Sequence, residues 1–332
     1  MRDIKKFLQK LRPVQLIVLF YLLAVVVSVI LLSLPFVTKP GVKWTFIDAL
    51  FTSVSAVSVT GLSVITISDT FTTAGIIVLA LILQLGGLGI MALGTFVWII
   101  TGKKIGLQRR RLIMADHNQG NLSGLVELMR SILIFLLERN HFLVGKSWHE
   151  TVFYTLFQSV TTRSGGLATM DIRELSQPTL LFMSILMFIG ASPSSVGGGI
   201  RTTTFAVSIL SLYTFARGGR TVRVFKRQLH EEDVLKASVV MTMGILLCAT
   251  ALFILSITEN VPLMSLIVEV CSAFGTTGLS TGVTPDLTTV GKLVLIVLMF
   301  IGRVGILTFI LASGGREQPP RYKYPKERII IG

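Results

Sequence analysis

Two stretches of the chain, Ser55-Ala-Val-Ser-Val-Thr-Gly-Leu-Ser63 and Ser272-Ala-Phe-Gly-Thr-Thr-Gly-Leu-Ser280, align with each other without a gap. A third stretch, Thr161-Thr-Arg-Ser-Gly-Gly-Leu-Ala168, matches them more loosely. The glycine near the end of each stretch is separated from the next by 105 and then 112 residues. Regular spacing of this size indicates an internal repeat, and we take these stretches as its markers.

Each marker closes a moderately apolar segment that is too short to cross a membrane and return. These segments are residues 44–63, 147–169 and 261–281. Non-helical backbone at membrane depth survives only where it is buried in protein or lines a water-filled cavity. Glycine permits backbone angles that other residues avoid, so a Thr-Gly turn after a short helix can direct carbonyl oxygens at one axis. The negative end of such a helix also favours a cation.

The composition places the chain in a membrane. Its 332 residues are 52% hydrophobic and only 14% charged, whereas soluble domains carry about 25% charged residues. A bilayer span needs about 20 apolar residues. Four segments are long enough, and they cover residues 14–37, 73–100, 237–257 and 293–312.

Two further apolar segments are defective as spans. Residues 123–137 contain Glu127 and Arg130, so the longest clean run has seven residues, about 10 Å of helix. Residues 180–216 are long enough, but a Gly/Ser/Pro-rich stretch at 190–199 interrupts them. Pro193 would break the helical hydrogen-bond ladder there.

The positive charge sorts into alternate loops. The formal net charge is +14, and 21 of the 31 lysines and arginines lie in the N-terminus, in the loops near 103–111 and 217–236, and in the C-terminal tail. The positive-inside rule places these four regions, and both termini, in the cytoplasm. A nucleic-acid-binding protein would gather its charge on one soluble face instead.

The repeats resemble the pore units of the Trk/Ktr/HKT superfamily of potassium transporters, particularly the membrane subunit of bacterial Ktr systems. The matching motifs are Val59-Thr-Gly-Leu-Ser63, Thr162-Arg-Ser-Gly-Gly-Leu167, Thr276-Thr-Gly-Leu-Ser280, Gln84-Leu-Gly-Gly-Leu-Gly89 and Gly190-Ala-Ser-Pro-Ser-Ser-Val-Gly-Gly-Gly-Ile-Arg-Thr-Thr-Thr204. The resemblance implies an all-α polytopic membrane protein in which helix–pore loop–helix units surround a pseudo-fourfold ion path. It implies potassium uptake through a carbonyl-lined filter, because rings of carbonyls replace the hydration shell of potassium.

The resemblance assigns potassium to a filter formed by three groups of residues. They are Val59, Thr60 and Gly61; Thr162, Arg163, Ser164, Gly165 and Gly166; and Thr276, Thr277 and Gly278. From the residues alone, Arg163 more plausibly braces its loop than contacts ions. Asp48, Glu150 and Glu269 could pair with it or be solvated.

The resemblance also implies a gate loop below the filter and a positive barrier at Arg303, within Phe300-Ile-Gly-Arg-Val-Gly305. The alternatives are a packing kink with close helix contact and a structural ion pair of the buried arginine. The gate loop comprises Gly190, Ala191, Ser192, Pro193, Ser194, Ser195, Gly197, Gly198 and Gly199.

One repeat is missing from this pattern. Members of the family have four units in one chain, whereas this sequence shows three, and the defective span at 123–137 marks the shortfall. We expect about 110 residues to be absent near 130–139, so that three repeats alone would not enclose a fourfold ring. The chain then divides into a first repeat at 1–100, a repeat with an incomplete first helix at 123–216 and a last repeat at 237–312, with basic cytoplasmic segments at 101–122, 217–236 and 313–332.

The resemblance further implies a homodimer docked on a cytoplasmic RCK-type ring that binds nucleotide, with sodium as an activator and no covalent cofactor. Membrane lipid is an equal candidate for the basic loops.

A Trk-type assembly, a secondary transporter of another solute and a structural membrane subunit remain open as alternatives. An intramembrane protease with Ser194 or Ser195 as nucleophile would need a nearby base, and no histidine lies at membrane depth. We therefore expect no enzyme activity.

Overall fold

The computed structural model describes residues 13–42, 45–87, 120–162, 166, 171–192, 197–219, 221–224 and 227–313. Almost all regular structure in these ranges is helical. The helices are α1 (Pro13–Leu32), α2 (Phe46–Val57), α3 (Ile67–Thr70), α4 (Thr73–Gly87), α5 (Gly120–Glu138), α6 (Trp148–Thr161), α7 (Gln177–Ile189), α8 (Thr202–Ala216), α9 (Glu231–Thr258), α10 (Leu263–Gly275), α11 (Thr289–Val304) and α12 (Ile306–Ser313). Short 3-10 turns cover Ile172–Glu174 and Thr284–Asp286, and strands β1 (Arg223–Val224) and β2 (Arg227–Gln228) pair antiparallel.

Among the described residues, two helices are long and apolar enough to cross a membrane, α1 and α9. A third span is obtained if α11 and α12 count as one, although they meet at an angle of 91°. The predicted span over residues 293–312 is therefore not a straight helix. The backbone turns at Gly305, whose φ of +88° is a conformation that favours glycine.

The segment predicted as a seven-residue fragment is a continuous 19-residue helix, α5. It would extend about 28 Å at 1.5 Å per residue, so its acidic and basic residues do not interrupt the helix. Arg130 is buried at 8% exposure. The helix is therefore longer than the seven-residue apolar run predicts, although α5 is not among the described helices that are long and apolar enough to cross a membrane.

A buried glutamate joins the end of α5 to the start of α7. Glu138 accepts hydrogen bonds from the backbone N–H and the hydroxyl of Ser176, at 2.9 and 2.7 Å. Glu259, at the end of α9, accepts equivalent bonds from Thr288 ahead of α11, with its backbone N–H at 3.0 Å. The C-terminal end of α5 thus occupies the same structural position as the end of α9.

In the first and last units, the first helix, the short helix and the second helix all pack on one another, whereas in the middle unit α5 packs on both α6 and α7. The second helix of one unit lies on the short helix of the next, since α7 packs on α10 and α11 packs on α2. Among the described residues, α4 and α6 do not form a contact of this extent. In the part of the chain that the structure describes, this series of contacts therefore does not close between α4 and α6.

Candidate functional site

Three short helices, α2, α6 and α10, lead into the three marker loops, and we call these the Thr-Gly loops (residues 58–63, 162–170 and 276–281). Two of the helices begin with a capping box, formed by Thr45 with Asp48 and by Ser147 with Glu150. Such boxes satisfy backbone N–H groups that a helix start leaves unpaired. The capping boxes fix the residue at which each helix begins. They therefore also help to fix the position of the Thr-Gly loop that follows its C-terminal end.

The first and third Thr-Gly loops have the same backbone. The N–H of Val59 donates to Ala56 O at 3.0 Å, and Thr276 repeats this bond to Ala273 O at 3.3 Å. Val59 and Thr276 have φ of 55° and 49°, which is unusual for β-branched residues. The ungapped alignment therefore corresponds to one conserved turn geometry within this chain.

The loop glycines meet at one place. Gly61, Gly166 and Gly278 have φ of +91°, +58° and +90°. A Cβ atom added to Gly166 would lie 2.9 Å from both Gly278 Cα and Thr277 O. One added to Gly278 would collide with Thr60 O and lie 3.1 Å from Gly166 Cα. Only glycine fits the second and third positions, and the three loops are in direct backbone contact.

Four of the predicted filter residues within the described ranges are buried. Thr60, Thr162, Thr276 and Thr277 are each at most 1% exposed. Ser58 and Thr60 join their hydroxyls at 2.6 Å, and Thr162 donates its hydroxyl to Ser159 O at 2.7 Å. Arg163, Ser164 and Gly165 lie outside the described residues.

Glu269 and Arg173 brace the third loop, a role that the sequence did not reveal. Glu269 is fully buried and accepts bonds from the hydroxyls of Ser280 and Thr284 and from the N–H of Thr281, at 3.2 Å for the last. Arg173 donates its Nε–H to Thr281 O. A charged residue in a short apolar helix was the available signal for Glu269. Arg173 follows the second loop, and nothing local indicates its distant partner.

The three acidic residues considered as partners of Arg163 have other partners. Asp48 accepts a hydrogen bond from Lys292 Nζ at 2.9 Å, which ties α2 to α11. Glu150 caps α6, with its carboxylate 2.9 Å from the N–H of Ser147. Asp48 is partly buried, Glu150 is exposed at the start of its helix, and Glu269 belongs to the third loop.

The predicted gate loop separates α7 from α8 and lies against the third Thr-Gly loop. Its described residues are Gly190, Ala191, Ser192, Gly197, Gly198 and Gly199, whereas Pro193, Ser194 and Ser195 lie outside the described residues. The two limbs of the loop are joined by a backbone bond from Ala191 N–H to Gly198 O at 3.3 Å. The N–H of Gly198 donates to Thr276 Oγ1 at 2.7 Å. The loop therefore touches a predicted filter residue directly.

Arg303 occupies the last turn of α11 and is 3% exposed. Its guanidinium donates to Gly86 O of α4 and lies 5.9 Å from the ring centroid of Tyr21. Among the described residues, Arg303 Nε has no hydrogen-bond partner. The sequence could not assign this partner, because the partner is a backbone carbonyl.

Comparison with known proteins yields one family. The family model for TrkH, described as "Cation transport protein", matches residues 22–138 and 121–318, so residues 121–138 of α5 are matched twice. Ktr system potassium uptake protein D of Bacillus subtilis is 46% identical over 443 aligned residues, which span 98% of this chain and 99% of that protein. The aligned length exceeds the 332 residues of this chain by 111.

Two other similar proteins support the assignment. Potassium/sodium uptake protein NtpJ of Enterococcus hirae is 28% identical over 99% of both chains. The crystal structure of the potassium transporter TrkH from Vibrio parahaemolyticus matches with a TM-score of 0.70 and 18% identity, over 90% of this chain and 83% of that one. It shows the fold alone, which confirms the predicted all-α polytopic membrane architecture. The chain belongs to the TrkH family of cation transport proteins, which are membrane proteins and not enzymes.

Proposed function

We propose that this protein takes up potassium across the cytoplasmic membrane, as the membrane subunit of a Ktr-type system. The observation that carries the proposal is the convergence of the backbones of Gly61, Gly166 and Gly278 after three short helices. Potassium sheds water most readily where carbonyl oxygens replace its hydration shell. The relatives support the choice of ion, since they are named as potassium or potassium/sodium uptake proteins.

The proposed path requires a fourth repeat between the first unit and the unit that contains Gly166. Among the described residues, the series of contacts between units does not close between α4 and α6. The short helices α2 and α10 are largely buried, whereas α6 leaves an apolar face exposed. That face consists of Val152 (45% exposed), Phe153 (57%), Leu156 (39%) and Val160 (56%). A helix of the fourth repeat would cover it.

The comparisons support the same position for the missing repeat. The alignment with the Bacillus subtilis relative is 111 positions longer than this chain, about one repeat. The two family-model matches overlap in residues 121–138. We infer that α5 is a composite of two first helices, in which the start of one repeat's first helix is joined to the end of another repeat's first helix. Glu138 occupies the position that Glu259 has in the last repeat, so it marks the C-terminal end of a first helix that this chain retains.

Below the loops, we propose that residues 190–199 form the gate and that Arg303 forms an electrostatic barrier. The gate loop contacts Thr276, and Arg303 places a buried positive charge one residue beyond Gly302, whose carbonyl lies close to Gly198. A fixed positive charge on the path raises the energy of a passing cation. The two elements together would hold the resting state closed.

The proposed assembly is a homodimer with cytoplasmic termini, docked on an RCK-type ring that binds the regulatory nucleotide. Sodium is proposed as an activator, and the name of the NtpJ relative includes sodium. The basic hairpin of β1 and β2 carries Arg223 and Arg227 on the side assigned to the cytoplasm. It would face this ring or anionic lipid headgroups.

Two observations favour alternatives. The bend at Gly305 is a second broken helix besides the break at 190–201, and paired broken helices are typical of secondary transporters. The direct contact of the three Thr-Gly loops leaves their backbones no room for an ion between Gly166 and Gly278. A three-repeat chain whose loops are in contact in this way would be consistent with a structural subunit that does not itself conduct ions.

The test is ion flux through the purified full chain in liposomes. We expect potassium flux that exceeds sodium flux, and we expect Gly166→Ser to reduce that preference because its side chain would displace Thr277 and Gly278. Equal preference in the variant would remove Gly166 from the filter. A protein that gives no flux at all would favour the structural-subunit alternative.

A further inference from the structure

Thr276 is the point at which the gate loop and the third Thr-Gly loop are joined. Its hydroxyl accepts the N–H of Gly198 at 2.7 Å, across 78 residues of sequence, in a fully buried setting. The N–H group of a buried loop residue is costly to leave without a partner. This one bond therefore contributes directly to where the gate loop rests.

The packing around Gly198 leaves the loop little freedom while the bond is formed. A Cβ atom added to Gly198 would lie 2.8 Å from Gly302 O and 2.8 Å from the Thr276 side chain. Gly198 is therefore packed closely between the side chain of Thr276 and the carbonyl oxygen of Gly302, the residue that precedes Arg303. The predicted gate loop, the third Thr-Gly loop and the last turn of α11 therefore meet at Gly198.

The first repeat provides an internal comparison. Val59 stands at the position of Thr276 and has nearly the same φ, 55° against 49°, but its side chain has no hydroxyl. The turn therefore does not require a threonine, and valine adopts its left-handed conformation in this same protein. What distinguishes Thr276 is the contact with the gate loop.

We propose that Thr276 is a latch, a positioning residue whose hydroxyl holds the gate loop closed against the third Thr-Gly loop. The inference rests on the gating role proposed for residues 190–199. Opening of the gate then requires loss of the Gly198–Thr276 bond. A movement of the third Thr-Gly loop would break this bond and release the gate loop. A movement of the gate loop would in turn displace the third Thr-Gly loop and not the other two.

The test compares Thr276→Val with Thr276→Ser in the full-length protein. Valine keeps the volume and the β-branch but removes the acceptor, whereas serine keeps the acceptor. Amide hydrogen exchange, measured by mass spectrometry on peptides that contain Gly198, reports the bond whether or not the chain conducts. We expect exchange about fivefold faster in Thr276→Val, as for one lost hydrogen bond, and rescue in Thr276→Ser. Thr250→Val is the matched control, because that hydroxyl only bonds its own helix.

Wild-type exchange in Thr276→Val would overturn the proposal. If that variant does not fold, Gly198→Ala tests the contact from the other side, because its methyl group would displace the loop from Thr276 and Gly302. Faster exchange then supports the latch, and unchanged exchange overturns it.

Flux measurements separate this inference from the proposed function. If the latch exists, Thr276→Val raises potassium flux as a shortened gate loop does. Raised flux in the shortened variant alone would overturn the latch and leave the gate intact. Unaltered flux in the shortened variant, from a protein that conducts, would overturn the gate and the latch together.

Discussion

At the scale of single residues, the site depends on glycines that serve different physical purposes. Gly61 and Gly278 share a φ near +90°, so both positions favour glycine for its backbone alone. Their surroundings differ. A Cβ on Gly61 would have its nearest neighbour at 3.9 Å, whereas one on Gly278 would collide with the backbone of Thr60. Equivalent residues of two repeats therefore carry unequal packing constraints.

This difference gives a prediction for Gly278→Ala against Gly61→Ala. Both variants have the same backbone strain, so the comparison isolates the collision. We expect Gly278→Ala to lose about 1–3 kcal/mol more of the free energy of unfolding, the usual cost of overpacking. Thermal unfolding in detergent measures it. Equal losses would show that the close approach of the loops is relieved without cost.

At the scale of elements, the positions at which helices are interrupted determine which segments come into contact. The interruption between α7 and α8 places a loop under the third Thr-Gly loop, and the bend at Gly305 ends α11 just after Arg303. Arg303 itself is still helical, and its side chain donates to the carbonyl of Gly86 on α4. A single straight helix over residues 293–312 would lack the 91° bend between α11 and α12.

Shortening the gate loop within residues 190–199 is the element-scale test. We expect potassium flux in liposomes to rise, because fewer residues would obstruct the path below Thr276. Removal of an equal number of residues from the loop at 217–219, which lies away from the three Thr-Gly loops, is the control. Unaltered flux in the shortened variant of a conducting protein would assign the break to helix packing alone.

At the scale of the whole molecule, the packing of the units against one another is the feature on which the proposed function depends. The larger hydrophobic core joins the first and last units and includes Tyr21, Phe51 and Phe274, whereas a smaller cluster lies around Met183 in the middle unit. The middle unit leaves α6 uncovered on the side toward α4. An exposed apolar face on a short helix is what the proposed missing repeat would leave behind.

The intact mass of the purified chain is the whole-molecule prediction. The sequence corresponds to 36.3 kDa for 332 residues, and 111 further residues of the same mean mass would add about 12 kDa. A heavier protein means that the repeat exists, and the potassium path stands. A mass of 36.3 kDa means a three-repeat chain, for which transport is claimed only once flux is measured.

The sequence by itself determined the membrane class, the short helices and the Thr-Gly turns, because apolar runs, capping residues and glycines act through local backbone preferences. The tertiary structure alone decided which groups meet: Arg303 with the Gly86 carbonyl, Glu269 with the third loop, and Gly198 with Thr276. It also decided that α5 is continuous and that the helix turns at Gly305. The contacts of Arg303 and Gly198 join distant segments through backbone atoms that every residue possesses, so no residue pattern marks them in advance.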